Sequence, residues 1–223
     1  MIDILVVTNG ERDFFDLLVK SAEKTRAEYR ILAWANQPLN YKHDKVQIFG
    51  DGQNIGHGAG LDKLIEHATA PFTLIVDADC HLLLDGWDEK LIANMQKNGL
   101  DLMPAEGGLL KPIRPAFMFW RTEALKRAGS MKSWEQDGVW FDTGIKSYFT
   151  TLRNNHKSVE RLQYRKSPFD GVWGECYAFA GELVAFHHYY GSRFGTEKQQ
   201  VDGRDRKDFE ESKKKLFNLY ANI

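Results

Sequence analysis

The sequence predicts an α/β fold, a mostly parallel central sheet flanked by helices. Three observations predict it. Short apolar runs rich in β-branched residues alternate with segments whose apolar residues recur at helical spacing. The runs are mostly apolar rather than alternating, as expected of strands covered on both faces. Each run ends in a polar or glycine-bearing turn, the place where open α/β sheets bind ligands.

The elements follow in order. Ile2 to Thr8 reads as a buried parallel strand ending at Asn9-Gly10, and Glu11 to Ala27 as a helix carrying Phe14, Leu17, Leu18 and Ala22 on one face. Arg30 to Ala35 and Val46 to Phe49 read as the second and third strands. A glycine-rich stretch, Asp51 to Gly60, leads into a helix over Leu61 to Thr69, which Pro71 ends. Phe72 to Val76 is the fourth strand and delivers Asp77-Ala78-Asp79.

The second half is less regular. Helices are expected over Trp87 to Asn98, Thr122 to Ala128 and Thr143 to Asn154, the last with Asp142 as N-cap. The apolar stretch before Arg121 suits a strand, Trp134 to Trp140 reads as a loop, and Leu183 to His187 as a late strand. The charged tail from Glu197 to Lys215, closing on an apolar turn, reads as a solvated terminal helix.

Length and composition narrow the function. The chain has 223 residues with a formal net charge of -1, so one domain is expected and no global field recruits a polyanion. A local basic patch from Arg161, Arg165, Lys166, Arg204, Arg206 and Lys207 remains open, as does a plain solvated surface. Two cysteines, Cys80 and Cys176, make neither a disulfide framework nor a cysteine-based zinc site. The opening Met-Ile-Asp-Ile-Leu has no basic segment, and no apolar run is long enough to span a bilayer, so a cytoplasmic protein is expected.

The chemistry is expected at the strand ends, where Thr8, Asn9, Asn36 and Asp77 to Asp79 fall. Two carboxylates two residues apart at a strand end can aim at one site, and they repel unless a cation lies between them. Mg²⁺ or Mn²⁺ suits oxygen ligands and shares phosphate oxygens with a substrate. Otherwise each aspartate serves the turn. The segment Asn54 to Gly60 lacks both the dinucleotide and the P-loop glycine spacings, yet its backbone at Gly56 can approach a nucleotide closely. Lys63 on the next helix can meet a phosphate or stay solvated. One of His187 and His188 can add a ring nitrogen to the cation, alternation turning the other away. Arg193 can balance leaving-group charge. Asp142, then Asp137, are the candidates for the base that takes a proton from an acceptor hydroxyl.

Taken together, the stretch NIGHGAGLDKLIEHATAPFTLIVDAD, Asn54 to Asp79, resembles the nucleotide-binding half of GT-A glycosyltransferases of the family 2 kind. Thr8 and Asn9 match the turn after that family's first strand. The resemblance implies a metal-dependent transfer of sugar from a nucleotide-sugar donor, a UDP-sugar first, to a hydroxyl acceptor. Asp77 and Asp79 would hold Mn²⁺ or Mg²⁺ with His187 or His188, and Thr8, Asn9, Asn36, Asn54, Gly56, Lys63, Asp77 and Arg193 would meet the donor. The acceptor is expected to be a sugar or other hydroxyl compound, a modified nucleic acid base standing behind these. The chain would be one GT-A-like domain: residues 1–80 the nucleotide-binding half, 81–195 the acceptor side, 196–223 a charged helix. It departs from the pattern after the second strand, where Ala33-Trp34-Ala35-Asn36 stands in place of an acidic pair, and at Asp142, which follows Phe141 rather than Glu. A nucleotidyltransferase acting on a sugar phosphate and a non-catalytic nucleotide-sugar-binding protein are the alternatives.

Overall fold

The structure is a computed structural model that describes residues 1–50, 52–107, 112–136, 139–188, 200–201 and 204–221. Its centre is a six-stranded sheet. Strand β1 (Ile2–Thr8) pairs in parallel with β2 (Tyr29–Ala35) on one side and β4 (Phe72–Val76) on the other, and β3 (Val46–Phe49) extends the β2 edge. Beyond β4 lie β7 (Ile113–Arg121), antiparallel, and then β6 (Leu102–Glu106). The order β3-β2-β1-β4-β7-β6 reverses its direction of growth between β1 and β4. That reversal is a topological switch point, where the loops leaving neighbouring strands diverge and leave a crevice.

Every residue of β1 is buried, because both sheet faces are covered. Ile2, Ile4 and Val6 pack with α1 (Arg12–Ala22) and α3 (Trp87–Asn98), while Leu5 and Val7 pack with α2 (His57–His67), α4 (Thr122–Ala128) and α5 (Ile145–Asn154). Burial of each large aliphatic side chain contributes about 1.5–3 kcal/mol, which explains why the run carries no polar alternation. The mostly parallel sheet flanked by helices is thus as the sequence predicts.

A second, antiparallel sheet was not foreseen. It runs β10 (Gln163–Lys166), β11 (Glu175–Phe179), β12 (Glu182–His187), β5 (Cys80–Leu82). β10 is exposed along its length and reads as QYRK, so no apolar pattern announces it. β5 begins immediately after Asp79 and pairs with β12, with His187 opposite Cys80. Small paired strands also form from β8 (Trp134–Gln136) with β9 (Val139–Phe141), and β13 (Gln200–Val201) with β14 (Arg204–Asp205). The last helix, α6, covers Arg206–Ala221.

Several sequence expectations are corrected. The first helix stops at Ala22 rather than Ala27, because the Asp88 carboxylate of α3 takes the Arg26 and Ala27 amides and turns the chain. The second helix starts within the glycine-rich stretch, at His57. Trp134–Gln136 and Val139–Phe141 pair as antiparallel strands where a loop is expected, and Trp134 stacks on Phe141 with centroids 4.5 Å apart. Gly144, at φ +76°, occupies the N-cap of α5, and Asp142 instead accepts the Thr143 amide at 2.9 Å. The terminal helix is not wholly solvated: Phe209, Leu216 and Tyr220 are buried against Phe14, Leu17 and Phe186, and Ser212 is buried as well.

Candidate functional site

A cleft of about 310 Å³ opens at the switch point, lined by Asn9 after β1, Asn36 after β2, Asn54, Gly56 and His57 leading into α2, and Asp77 to Asp79 after β4. Its floor is held by amides. Asn36, 2% exposed, donates through Nδ2 to Asn9 Oδ1 at 3.1 Å and accepts the Ile55 amide at 3.3 Å. One side chain thereby joins the turns after β1 and β2 to the start of α2. Thr8 is buried and accepts the Gly10 amide at 3.1 Å, so it shapes the turn rather than facing the cleft. Asn54 Oδ1 accepts the Gly56 amide at 2.9 Å.

The glycines divide by role. Gly56 has φ +85° and open space where a Cβ would lie, at the mouth of the cleft. Gly58 and Gly60 sit inside α2. A Cβ on Gly58 would come within 2.6 Å of Lys132 Cα, and one on Gly60 within 2.9 Å of Val7 Cγ2. Those two let the helix lie flat on the sheet and the 131–132 backbone.

Asp77, Asp79 and His187 converge: each offers a ligand atom, and these atoms lie within 4.8 Å of one another. His187 Nε2 is 3.4 Å from Asp79 Oδ1 and 3.9 Å from Asp77 Oδ2. The pairing of β12 with β5 produces this, since it sets His187 beside the residue after Asp79. Burial, opposed by His57 and His187, leaves the Asp77 carboxyl above the usual range. Burial disfavours the charged His187 ring, but Asp79, Glu175 and Asp77 outweigh it and raise its pKa to about 10. A site that holds two carboxylates against a cationic ring is one in which a metal ion can replace the ring proton. Asp77 Oδ1 is a buried oxygen that accepts no hydrogen bond among the described residues, although His57 Nε2 makes an ion-pair contact at 3.3 Å. Two carboxylates, an imidazole and an oxygen lacking a hydrogen-bond donor fit a divalent cation.

His188 does not join that group. It is buried, its ring lies 3.0 Å from Ser212 Oγ on α6, and burial lowers its pKa to about 4. Lys63 lies on the outside of α2, paired with Glu66 at 3.3 Å, and does not line the cleft. Asp142 lies in the turn between β9 and α5, and its negative charge reaches Asp77. Asp137 and Arg193 lie outside the described residues.

Sequence reasoning missed three residues here. Glu11 lines the cleft, its carboxyl held above the usual range by burial and by Asp79's charge. His57 touches Asp77. Glu175, fully buried, stands behind His187. His57 was within the quoted glycine-rich stretch, and a histidine at a helix start facing a strand-end carboxylate was its signal. Glu175 carries no signal, because nothing in the spacing reveals that β11 lies next to β12.

Comparison with known proteins follows the same lines. Residues 2–104 match the model of glycosyl transferase family 2. No curated protein sequence matches the chain. Among solved structures, the mannosyltransferase PcManGT from Pyrobaculum calidifontis, in complex with GDP-Man and Mn²⁺, is similar at 10% identity and a TM-score of 0.56, over 73% of this chain and 54% of that one. Glucosyl-3-phosphoglycerate synthase from Mycobacterium tuberculosis, in complex with Mn²⁺, UDP and glucosyl-3-phosphoglycerate, is similar at 10% identity and a TM-score of 0.52, over 76% of this chain and 74% of that one. S. aureus TarS 1–349 with UDP-GlcNAc is similar at 12% identity and a TM-score of 0.50, over 74% of this chain and 59% of that one. The chain thus spans little more than half of the PcManGT and TarS chains.

Proposed function

We propose that this chain, which has a family 2-like GT-A fold, is a glycosyltransferase that moves a sugar from a nucleoside-diphosphate sugar to a hydroxyl acceptor. The observation that carries the reading is the convergence of Asp77, Asp79 and His187 beside the switch-point cleft. Asp77, Asp79 and His187 would hold the cation, and the two-carboxylate, one-imidazole set favours Mn²⁺ over Mg²⁺, which prefers an all-oxygen shell. A divalent cation bound there supplies positive charge to the leaving diphosphate. Asn9, Asn36, Asn54 and the Gly56 backbone offer the donor nucleotide polar groups on a preformed floor, and residues 1–80 form the donor half.

Asp142 is proposed as the base. The acceptor oxygen bonds to the anomeric carbon as its proton passes to the Asp142 carboxylate, and the bond from that carbon to the diphosphate oxygen breaks, its electron pair leaving with the diphosphate. Residues 81–195 would present the acceptor. No helix of the described residues is long and apolar enough to cross a membrane.

A thermal-shift series with UDP-, GDP-, CMP- and dTDP-sugars, each with and without Mn²⁺, tests the donor reading. One nucleotide class is expected to raise the melting temperature in a Mn²⁺-dependent way, and release of the nucleoside diphosphate should follow when an acceptor is supplied. No stabilisation by any donor, with or without Mn²⁺, would sink the reading.

A further inference from the structure

We infer that Glu175, acting through Tyr177, is a positioning residue that fixes the orientation and tautomer of His187, so that Nε2 is the nitrogen presented to a cation. The inference rests on the cation reading above and deepens it.

The argument is an account of protons. Glu175 is fully buried, in a strand that pairs with β12, and its register partner is His187 itself. Tyr177, also fully buried, donates its hydroxyl proton to Glu175 Oε1 at 2.6 Å. A phenol has one proton, so with that proton committed its oxygen can only accept. His187 Nδ1 lies 3.2 Å from this oxygen and 3.6 Å from Glu175 Oε1. Nδ1 must therefore carry a hydrogen, which leaves Nε2 as the nitrogen able to give a lone pair. Nε2 is the atom aimed at Asp79 and Asp77. Arg114 Nε, 3.4 Å from Glu175 Oε1, supplies the counter-charge that lets a carboxylate stay in this buried place. A ligating imidazole whose second nitrogen is tied to a carboxylate is held in one tautomer and one ring orientation, and loss of such a partner typically costs about 10- to 100-fold in metal affinity.

The test is a Mn²⁺ titration followed by electron paramagnetic resonance, with UDP or GDP added, on the full chain and on Glu175→Gln, Tyr177→Phe and Asp79→Asn. Electron spin echo of the bound ion reads the imidazole nitrogen directly, a signature that a merely structural role would leave alone. Glu175→Gln and Tyr177→Phe are expected to weaken Mn²⁺ binding by about tenfold or more and to diminish the nitrogen modulation. Unchanged affinity and modulation in both would overturn the inference while leaving the cation reading intact. If Glu175→Gln does not fold, Tyr177→Phe, which removes one oxygen and keeps the ring, decides alone. A parent chain that binds no Mn²⁺, or that binds it equally after Asp79→Asn, would overturn the cation reading and this inference with it.

Discussion

His187 lies directly across from Cys80 in the pairing of β12 with β5, and Cys80 is the residue that follows Asp79. A residue more than a hundred positions downstream is thereby delivered to the carboxylates by strand register rather than by a loop. Register is specific, because a slip of one residue would send the ring to the opposite face.

The first prediction concerns the cation. Asp79→Asn and His187→Ala should each reduce Mn²⁺-dependent sugar transfer by at least about 100-fold, the loss of several kcal/mol of charge stabilisation. Far-UV circular dichroism should be unchanged. Activity that persists in either variant with excess EDTA would remove the cation from the reaction.

The second concerns pH. Asp77 must be deprotonated to ligate, burial holds its pKa up, and His57 and His187 draw it back down. Removal of His57 takes away one of the two lowering charges, so the acid limb of Mn²⁺ binding in His57→Ala should move to higher pH. A pH series of Mn²⁺ affinity reads this. An acid limb that stays put, or moves lower, contradicts the role given to His57.

The fold was legible where burial is two-sided and local. β1 and β4, largely apolar and buried on both faces, fall at the residues expected of them, because such a run before a turn leaves few alternatives; β3, only partly buried, falls where expected as well. Asp77 and Asp79 were legible for the same reason, as the polar residues that end such a run. The second sheet was not. β10 has no apolar residue except the aliphatic and aromatic parts of QYRK, and its place is decided by pairing with β11. Glu175 is invisible for the same cause: its meaning depends on three partners brought together by the sheet. Asp142 misled in a local way, since Gly144 takes the N-cap that an aspartate usually fills.

The third prediction tests the glycine reading. Gly58→Ala would ordinarily stabilise a helix interior, by about 0.5–1 kcal/mol. Here the new Cβ meets the Lys132 backbone at 2.6 Å, so the variant should instead lose about 1–3 kcal/mol, seen as a lower midpoint in urea. A midpoint equal to or above the parent's would mean that α2 can lift off that backbone at little cost.

The fourth lies at the far end of the sheet. Asp3 is fully buried, with Arg30 Nε at 2.6 Å and the Thr69 and Ala70 amides at 2.6 and 2.8 Å. Burial raises its pKa, but these partners together hold it below the ordinary value. A depressed folded-state pKa contributes stability above the unfolded-state pKa, and that stability disappears as pH falls through the folded value. Asp3→Asn should therefore cost about 2 kcal/mol at neutral pH and flatten the acid end of the stability profile. Parallel profiles for parent and variant below pH 4 would refute the assignment.

The hydroxyl of Ser212 accepts the Trp173 amide at 2.8 Å and lies 3.0 Å from His188 Nε2. One small side chain on the final helix thus anchors both the approach to β11 and the residue beside His187. Any shortened version that stops ahead of residue 212 would keep the switch-point cleft residues and still leave that histidine without its brace. Tags and truncations belong elsewhere on the molecule.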